Sequence, residues 1–182
     1  LLQTNRCDRM IVSDISAISV RKLNNLMREL DLVERCLVKE ADGFDAIDQP
    51  VDAVAICGMG GKTIAEMIQK RPILPGNPVL ILSAHTQIPL LRETLVTHGY
   101  AIEKEVITRA SGRFYNIIKA KPGNESYTRK QIQVGFHVEG NDAQMLRDFY
   151  QWLLDVEAEK QTDNEDKLMW IKEELERCDK LL

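Results

Sequence analysis

Residues 51–63, Val51-Asp52-Ala53-Val54-Ala55-Ile56-Cys57-Gly58-Met59-Gly60-Gly61-Lys62-Thr63, decide the fold. Val51 to Ile56 is a short, nearly all-apolar run, the pattern of a strand buried on both faces of a parallel sheet. Three glycines follow within four residues, and Ile64, Met67 and Ile68 then recur at helical spacing. Strand, glycine turn and helix form the unit with which open α/β sheets build ligand crevices at the carboxyl ends of their strands. Gly58, Gly60 and Gly61 have no side chain and tolerate positive φ, so they let backbone approach a ligand closely. The same glycines would equally serve a tight turn and a close strand–helix contact with no ligand involved. Gly61-Lys62-Thr63 reads like the end of a phosphate-binding P-loop. That loop needs a glycine where Ile56 stands, which argues against a phosphate cradle.

On the amino-terminal side, Arg9 to Ser13 reads as a short strand ending at Asp14, and Ser16 can cap a helix with Val20, Leu23, Met27 and Leu30 on one face. Cys36-Leu37-Val38 is a second strand, closed by Glu40-Ala41-Asp42-Gly43. On the carboxyl side, Val79–Leu82 is an apolar strand running into Ser83-Ala84-His85-Thr86. Pro89 opens a helix that Gly99 stops. Two longer strands, about Tyr100–Thr108 and Arg113–Ala120, form a hairpin. Alternating strands and helices ending in an antiparallel pair predict an α/β doubly wound sheet with an antiparallel edge.

Pro122-Gly123-Asn124 predicts a boundary between a domain of residues 1–122 and a helical part of residues 123–182. After a short irregular segment, Met145, Phe149, Trp152 and Val156 mark one helix face. Leu168, Ile171, Leu175, Cys178 and Leu182 step by three and four, and Thr162 with Glu165 reads as a capping box. These features predict an antiparallel coiled-coil hairpin, which could cap the sheet, pair two subunits into a homodimer or touch a substrate.

Composition excludes several classes. No apolar run approaches the roughly 20 residues that span a bilayer, so no membrane is expected. Cys7, Cys36, Cys57 and Cys178 are scattered without a CxxC pair, as in a reduced, cytoplasmic protein without a metal site. The net charge of −4 alone argues against a nucleic-acid partner, but it is unevenly distributed: residues 1–122 hold 16 Lys and Arg against 14 Asp and Glu, residues 123–182 hold 8 against 14. An acidic tail on a near-neutral domain leaves room for a local basic patch on that domain.

Asp14 ends a strand just before a helix, where a carboxylate can hold both hydroxyls of a nucleoside ribose or simply cap the helix. Asp42 stands similarly after the next strand, where it could accept from an adenine amine or form an ordinary Asp-Gly turn. Asp14, Asp42 and Gly58 fall at successive strand ends, in the order needed to read ribose, base and reactive group of an adenosyl cofactor. This constellation, with the terminal hairpin, resembles the class I, Rossmann-like S-adenosylmethionine-dependent methyltransferases.

The chain further resembles one family, the bacterial tRNA (adenine-22-N1)-methyltransferases. The resemblance rests on Ile56-Cys57-Gly58-Met59-Gly60-Gly61, on Leu80-Ile81-Leu82 followed by Leu91-Arg92-Glu93-Thr94-Leu95, and on Gly99-Tyr100. It also rests on Gly112-Arg113-Phe114-Tyr115-Asn116-Ile117-Ile118, on Ala41-Asp42-Gly43-Phe44 and on the helical hairpin. It implies S-adenosyl-L-methionine as cofactor, tRNA as partner and methyl transfer to N1 of an adenine. Asp14, Ile15, Ala41, Asp42, Gly43, Gly58, Met59 and Gly60 would hold the cofactor. Met59, His85 and Tyr115 would form the catalytic wall and hold the base, and Arg92, Arg109 and Arg113 would contact phosphates.

Two departures stand out. The family's first strand and its Asp-Ile-Gly-Ser-Asp-His-Ala-like loop would end just before Leu1, so the chain is expected to be either a piece of a longer protein or a relative that has lost cofactor binding. Ser83-Ala84-His85 stands where the family commonly has Gln-Pro-Asn. The alternative reading is a non-catalytic α/β binding or assembly module that dimerises through its helices. A small-molecule methyltransferase is less suited, because a small substrate would not require the long helical hairpin.

Overall fold

A computed structural model of the chain describes residues 1–71, 73–135, 140–160 and 164–182. It divides into two compact units, the first of residues 1–51 with 73–76, the second of residues 52–72 with 77–182.

In the first unit, β1 (Met10–Asp14) pairs in parallel with β2 (Cys36–Glu40), Asp14 lying opposite Glu40. Between them runs α1 (Ala17–Glu29), capped as expected by Ser16, whose hydroxyl accepts the Ser19 amide. Leu2, Leu32 and Cys36 make a small core, flanked by Met10, Val12, Met27 and Val38. Arg35 ties this unit's start together, donating to the carbonyls of Leu2, Cys7 and Asp8.

The second unit holds a four-stranded sheet in the order β3 (Ala53–Met59), β4 (Val79–Ala84), β6 (Arg113–Pro122), β5 (Tyr100–Ala110). The strands thus fall into two sheets, and β3 is an edge strand. This corrects the expectation for the stretch at 51–56: only Ile56 of β3 is fully buried, and Ala53, Ala55 and Cys57 are exposed. β4 is the better buried strand: Leu80, Leu82 and Ala84 are buried on one face, while Val79, Ile81 and Ser83 on the other are half-buried.

α2 (Gly61–Lys70) and α3 (Ile88–Thr97) cover one face with Ile64, Ile68, Leu91 and Leu95. Burying four such side chains contributes roughly 1.5–3 kcal/mol each. The β5–β6 hairpin closes on Ser111-Gly112, both left-handed (φ 48° and 75°), the two-residue turn whose twist matches that of the strands.

The predicted boundary after Pro122 is not a break in packing. A helix the sequence reading left irregular, α4 (Arg129–Val134), begins with a capping box between Thr128 and Gln131. α5 (Ala143–Glu159) and α6 (Glu165–Asp179) run antiparallel, as the ion pairs Arg147–Asp179 and Lys167–Glu157 at opposite ends require. Their seam is filled within one chain by Leu146, Phe149, Tyr150, Ile171 and Cys178, and it shares its core with Ile107 of β5. Trp152, predicted on the buried face, is 43 % exposed, while Leu146 and Tyr150 are buried. Leu182 is exposed as well. The Thr162–Glu165 capping box lies outside the described residues. Among the described residues, no helix is long and apolar enough to cross a membrane.

Candidate functional site

In the first unit, the parallel register brings Asp14 and the Ala41–Gly43 turn to the same end of the two-stranded sheet, where the Ala41 amide donates to the Asp14 carbonyl at 3.3 Å. Asp14 Oδ1 accepts the Ser16 amide at 2.7 Å, so part of its carboxylate caps the turn into α1. A carboxylate offers about four lone-pair sites, so acceptor capacity remains for hydroxyls. Ile15 is 72 % exposed, Asp42 is exposed, and Gly43 is left-handed at φ 54°.

In the second unit, the register places Met59 opposite Ala84 and Ala84 opposite Asn116, a row across three strands at the carboxyl ends of β3 and β4. Gly58 is left-handed at φ 78°, and a Cβ built there meets nothing within 4 Å. Gly61 is different: its amide donates to the Thr86 carbonyl at 2.8 Å, and a Cβ there would lie 2.5 Å from that oxygen. The two explanations of the glycines therefore divide between positions. Gly61 permits close packing of α2 on the loop after β4, while Gly58 makes an open turn. Met59 and His85 are exposed and Tyr115 is half-buried. Because β6 runs antiparallel to β4, its first residues project beyond the β4 carboxyl end, which puts the hairpin tip with exposed Arg109 and Arg113 at that same end. The Arg109 guanidinium lies 5.3 Å from the centre of the Phe114 ring.

Arg92 does not belong with these residues. It was expected to contact phosphate, but it is only 2 % exposed, and its Nη2 donates to Glu105 Oε1 at 2.8 Å while Nη1 donates to the Ile132 carbonyl at 2.9 Å. An arginine so enclosed ties α3, β5 and the end of α4 together and cannot reach RNA. Asn116 was not foreseen. Its Nδ2 donates to Glu105 Oε1 at 3.3 Å, and its buried Oδ1 finds no hydrogen-bond partner among the described residues. The signal was present in the sequence: Asn116 stands in step with Ile118 and Ala120, a polar residue on the inward face of a strand.

Parallel strands ending in acids and a glycine turn, followed by an antiparallel terminal hairpin, define the Rossmann-like methyltransferase class. The comparisons agree. A Streptococcus agalactiae protein of the NADB-Rossmann superfamily superposes with a TM-score of 0.80 at 25 % identity, covering 96 % of this chain and 83 % of that one. A Streptococcus pneumoniae protein described as a tRNA (m1A22) methyltransferase, solved with S-adenosyl-L-methionine, superposes at 0.83 with 23 % identity, covering 96 % and 85 %.

The chain belongs to the tRNA (adenine(22)-N(1))-methyltransferase family, whose sequence profile matches residues 1–180. A curated tRNA (adenine(22)-N(1))-methyltransferase from Bacillus subtilis (strain 168) is 34 % identical over 89 residues, 48 % of this chain. That match spans 37 % of the relative's length, little more than a third.

Proposed function

We propose that this protein transfers a methyl group from S-adenosyl-L-methionine to N1 of adenine 22 in tRNA, in the cytoplasm. The observation that carries this reading, beside family membership, is the Gly58–Met59–Gly60 turn. It is left-handed at Gly58, where a Cβ would meet nothing within 4 Å, and it ends a parallel strand.

Each unit by itself carries residue types that an adenosyl group would use. Asp14 supplies acceptors for ribose hydroxyls, Asp42 an acceptor for the adenine amine, and Ile15 and Ala41 apolar surface for the base. Gly58 leaves backbone uncovered, while a Cβ at Gly60 would meet the Thr86 hydroxyl at 2.9 Å. When bound, the cofactor supplies an electrophilic methyl on a sulfonium.

The chain's own contribution is orientation. N1 of adenine carries a lone pair and is mostly unprotonated near neutral pH, so alignment and exclusion of water matter more than a strong base. Met59 walls the reacting side. Tyr115 offers a ring face, and His85 a ring with two nitrogens, for a base turned out of its stack. Arg109 and Arg113 draw the adjoining phosphates to the hairpin tip.

Calorimetric titration of S-adenosyl-L-methionine into the protein, and into Asp14→Ala, tests the assignment. Saturable binding that weakens roughly ten- to a hundred-fold in the variant, the scale of a hydrogen bond to a charged group, is the expected result. Equal affinity in both proteins would remove the ribose role of Asp14. Binding that appears only in a version extended at its amino terminus would assign the loss to the residues preceding Leu1, and absence of binding by both versions would remove the enzyme reading.

A further inference from the structure

We infer that Trp152, on α5, is a stacking platform for an unpaired base of the RNA substrate, beside the phosphate contacts at the hairpin tip. The inference rests on the tRNA reading and adds to it a contact from the helical segment.

A tryptophan on an amphipathic helix is ordinarily buried, and its spacing with Phe149 predicted as much. The structure instead leaves it 43 % exposed while fixing its position. The indole lies 5.5 Å from the Phe114 ring and 6.0 Å from the Phe149 ring, centre to centre. Phe149 in turn meets Phe114 edge-on at 5.6 Å. Aromatic neighbours hold the ring in place without covering it, so stacking on the indole costs little side-chain entropy.

Arg109 lies over Phe114, 5.3 Å from its ring centre, and neither Arg109 nor Arg113 has a carboxylate partner among the described ion pairs. Exposed aromatic faces joined to unpaired arginines are the surface that binds single-stranded nucleic acid, the rings taking bases and the arginines taking phosphates.

Charge decides what Trp152 itself takes. Asp148 and Asp155 stand one turn to either side of it on α5, held by Gln144 at 2.7 Å and Gln151 at 3.0 Å. Carboxylates there repel phosphate but not the uncharged face of a base, so the indole receives a base and the arginines receive the backbone.

Two measurements test this. In a Trp170→Phe background, Trp152 is the one remaining tryptophan. An unmodified tRNA transcript is expected to quench its fluorescence, and inorganic polyphosphate, which has charge but no bases, is not. Second, Trp152→Leu is expected to weaken tRNA binding roughly ten-fold while leaving the slope of log affinity against log salt unchanged. Arg109→Gln or Arg113→Gln is expected to reduce that slope by a little under one.

Quenching by polyphosphate alone, or unchanged tRNA affinity in Trp152→Leu, would overturn the stacking role while the tRNA reading stands. Failure of the parent protein to bind tRNA would overturn both. Self-association that Trp152→Leu abolishes, without quenching by tRNA, would assign this face to a second copy of the chain instead. The quenching experiment leaves Trp152 in place and does not depend on the leucine variant folding.

Discussion

Arg92 on α3 and Glu105 on β5 form an enclosed ion pair, Nη2 to Oε1 at 2.8 Å, with side chains 2 % and 0 % exposed. The Ile132 carbonyl takes another guanidinium proton, and Asn116 donates to the same carboxylate. Four elements meet at this one knot. Removing one partner leaves an uncompensated buried charge, so Arg92→Met and Glu105→Leu are each expected to cost about 3–5 kcal/mol by urea denaturation. The double variant should recover most of that loss. Additive losses would show that the pair does not act as a unit.

The two glycine roles separate by substitution. Gly58→Ala places a side chain in open space but at φ 78°, a strain of about 1–2 kcal/mol, and it obstructs the proposed cofactor turn. Gly61→Ala drives a methyl against backbone oxygens of Thr86 and Gln87, 2.5 and 2.6 Å away, and is expected to lower Tm more. Gly58→Ala should weaken S-adenosyl-L-methionine binding more than it lowers Tm. The reverse ordering would place the ligand elsewhere.

Much of this fold was legible because local signals agree with the global one. Ser16 caps α1, Gly99 ends α3 and Ser111-Gly112 turns the hairpin through chemistry contained in a few adjacent residues. Arg92 was not legible, since its partner lies 13 residues away on another element and nothing in the Leu91–Leu95 helix pattern marks a buried charge. α4 could have been read from Thr128 and Gln131, spaced as a capping box. The face of α5 shifted because the hairpin packs against it from one side, drawing in Leu146 and Tyr150 and leaving Trp152 at the rim.

Glu157, near the end of α5, accepts from Lys160 and Lys167, each at 2.8 Å. Burial pushes its carboxyl up, but the two lysines outweigh that and hold it below its ordinary value of 4.5. A carboxylate depressed in the folded state contributes stability above its unfolded pKa and loses it as pH falls through the folded one. Thermal unfolding of Glu157→Gln should therefore trail the parent protein at pH 7, and the gap should close as the pH is lowered well below 4.5. A gap independent of pH would assign the effect to packing.

Cysteine labelling reports on the glycine turn directly. Cys57 is exposed beside Gly58, whereas Cys36 and Cys178 are buried, and burial raises both of those thiols. Iodoacetamide should modify Cys57 well before Cys36 and Cys178, as read by peptide mass. Saturating S-adenosyl-L-methionine should slow that modification. A Cys57 rate unaffected by the ligand would count against cofactor binding at this turn.

Primer extension on unmodified tRNA, after incubation with the protein and S-adenosyl-L-methionine, tests the central claim most directly. A methyl on N1 blocks pairing, so the account predicts a new stop at adenine 22 with a gain of one methyl by nucleoside mass analysis. Full-length extension with no mass gain, or a methyl at another position or atom, would contradict it.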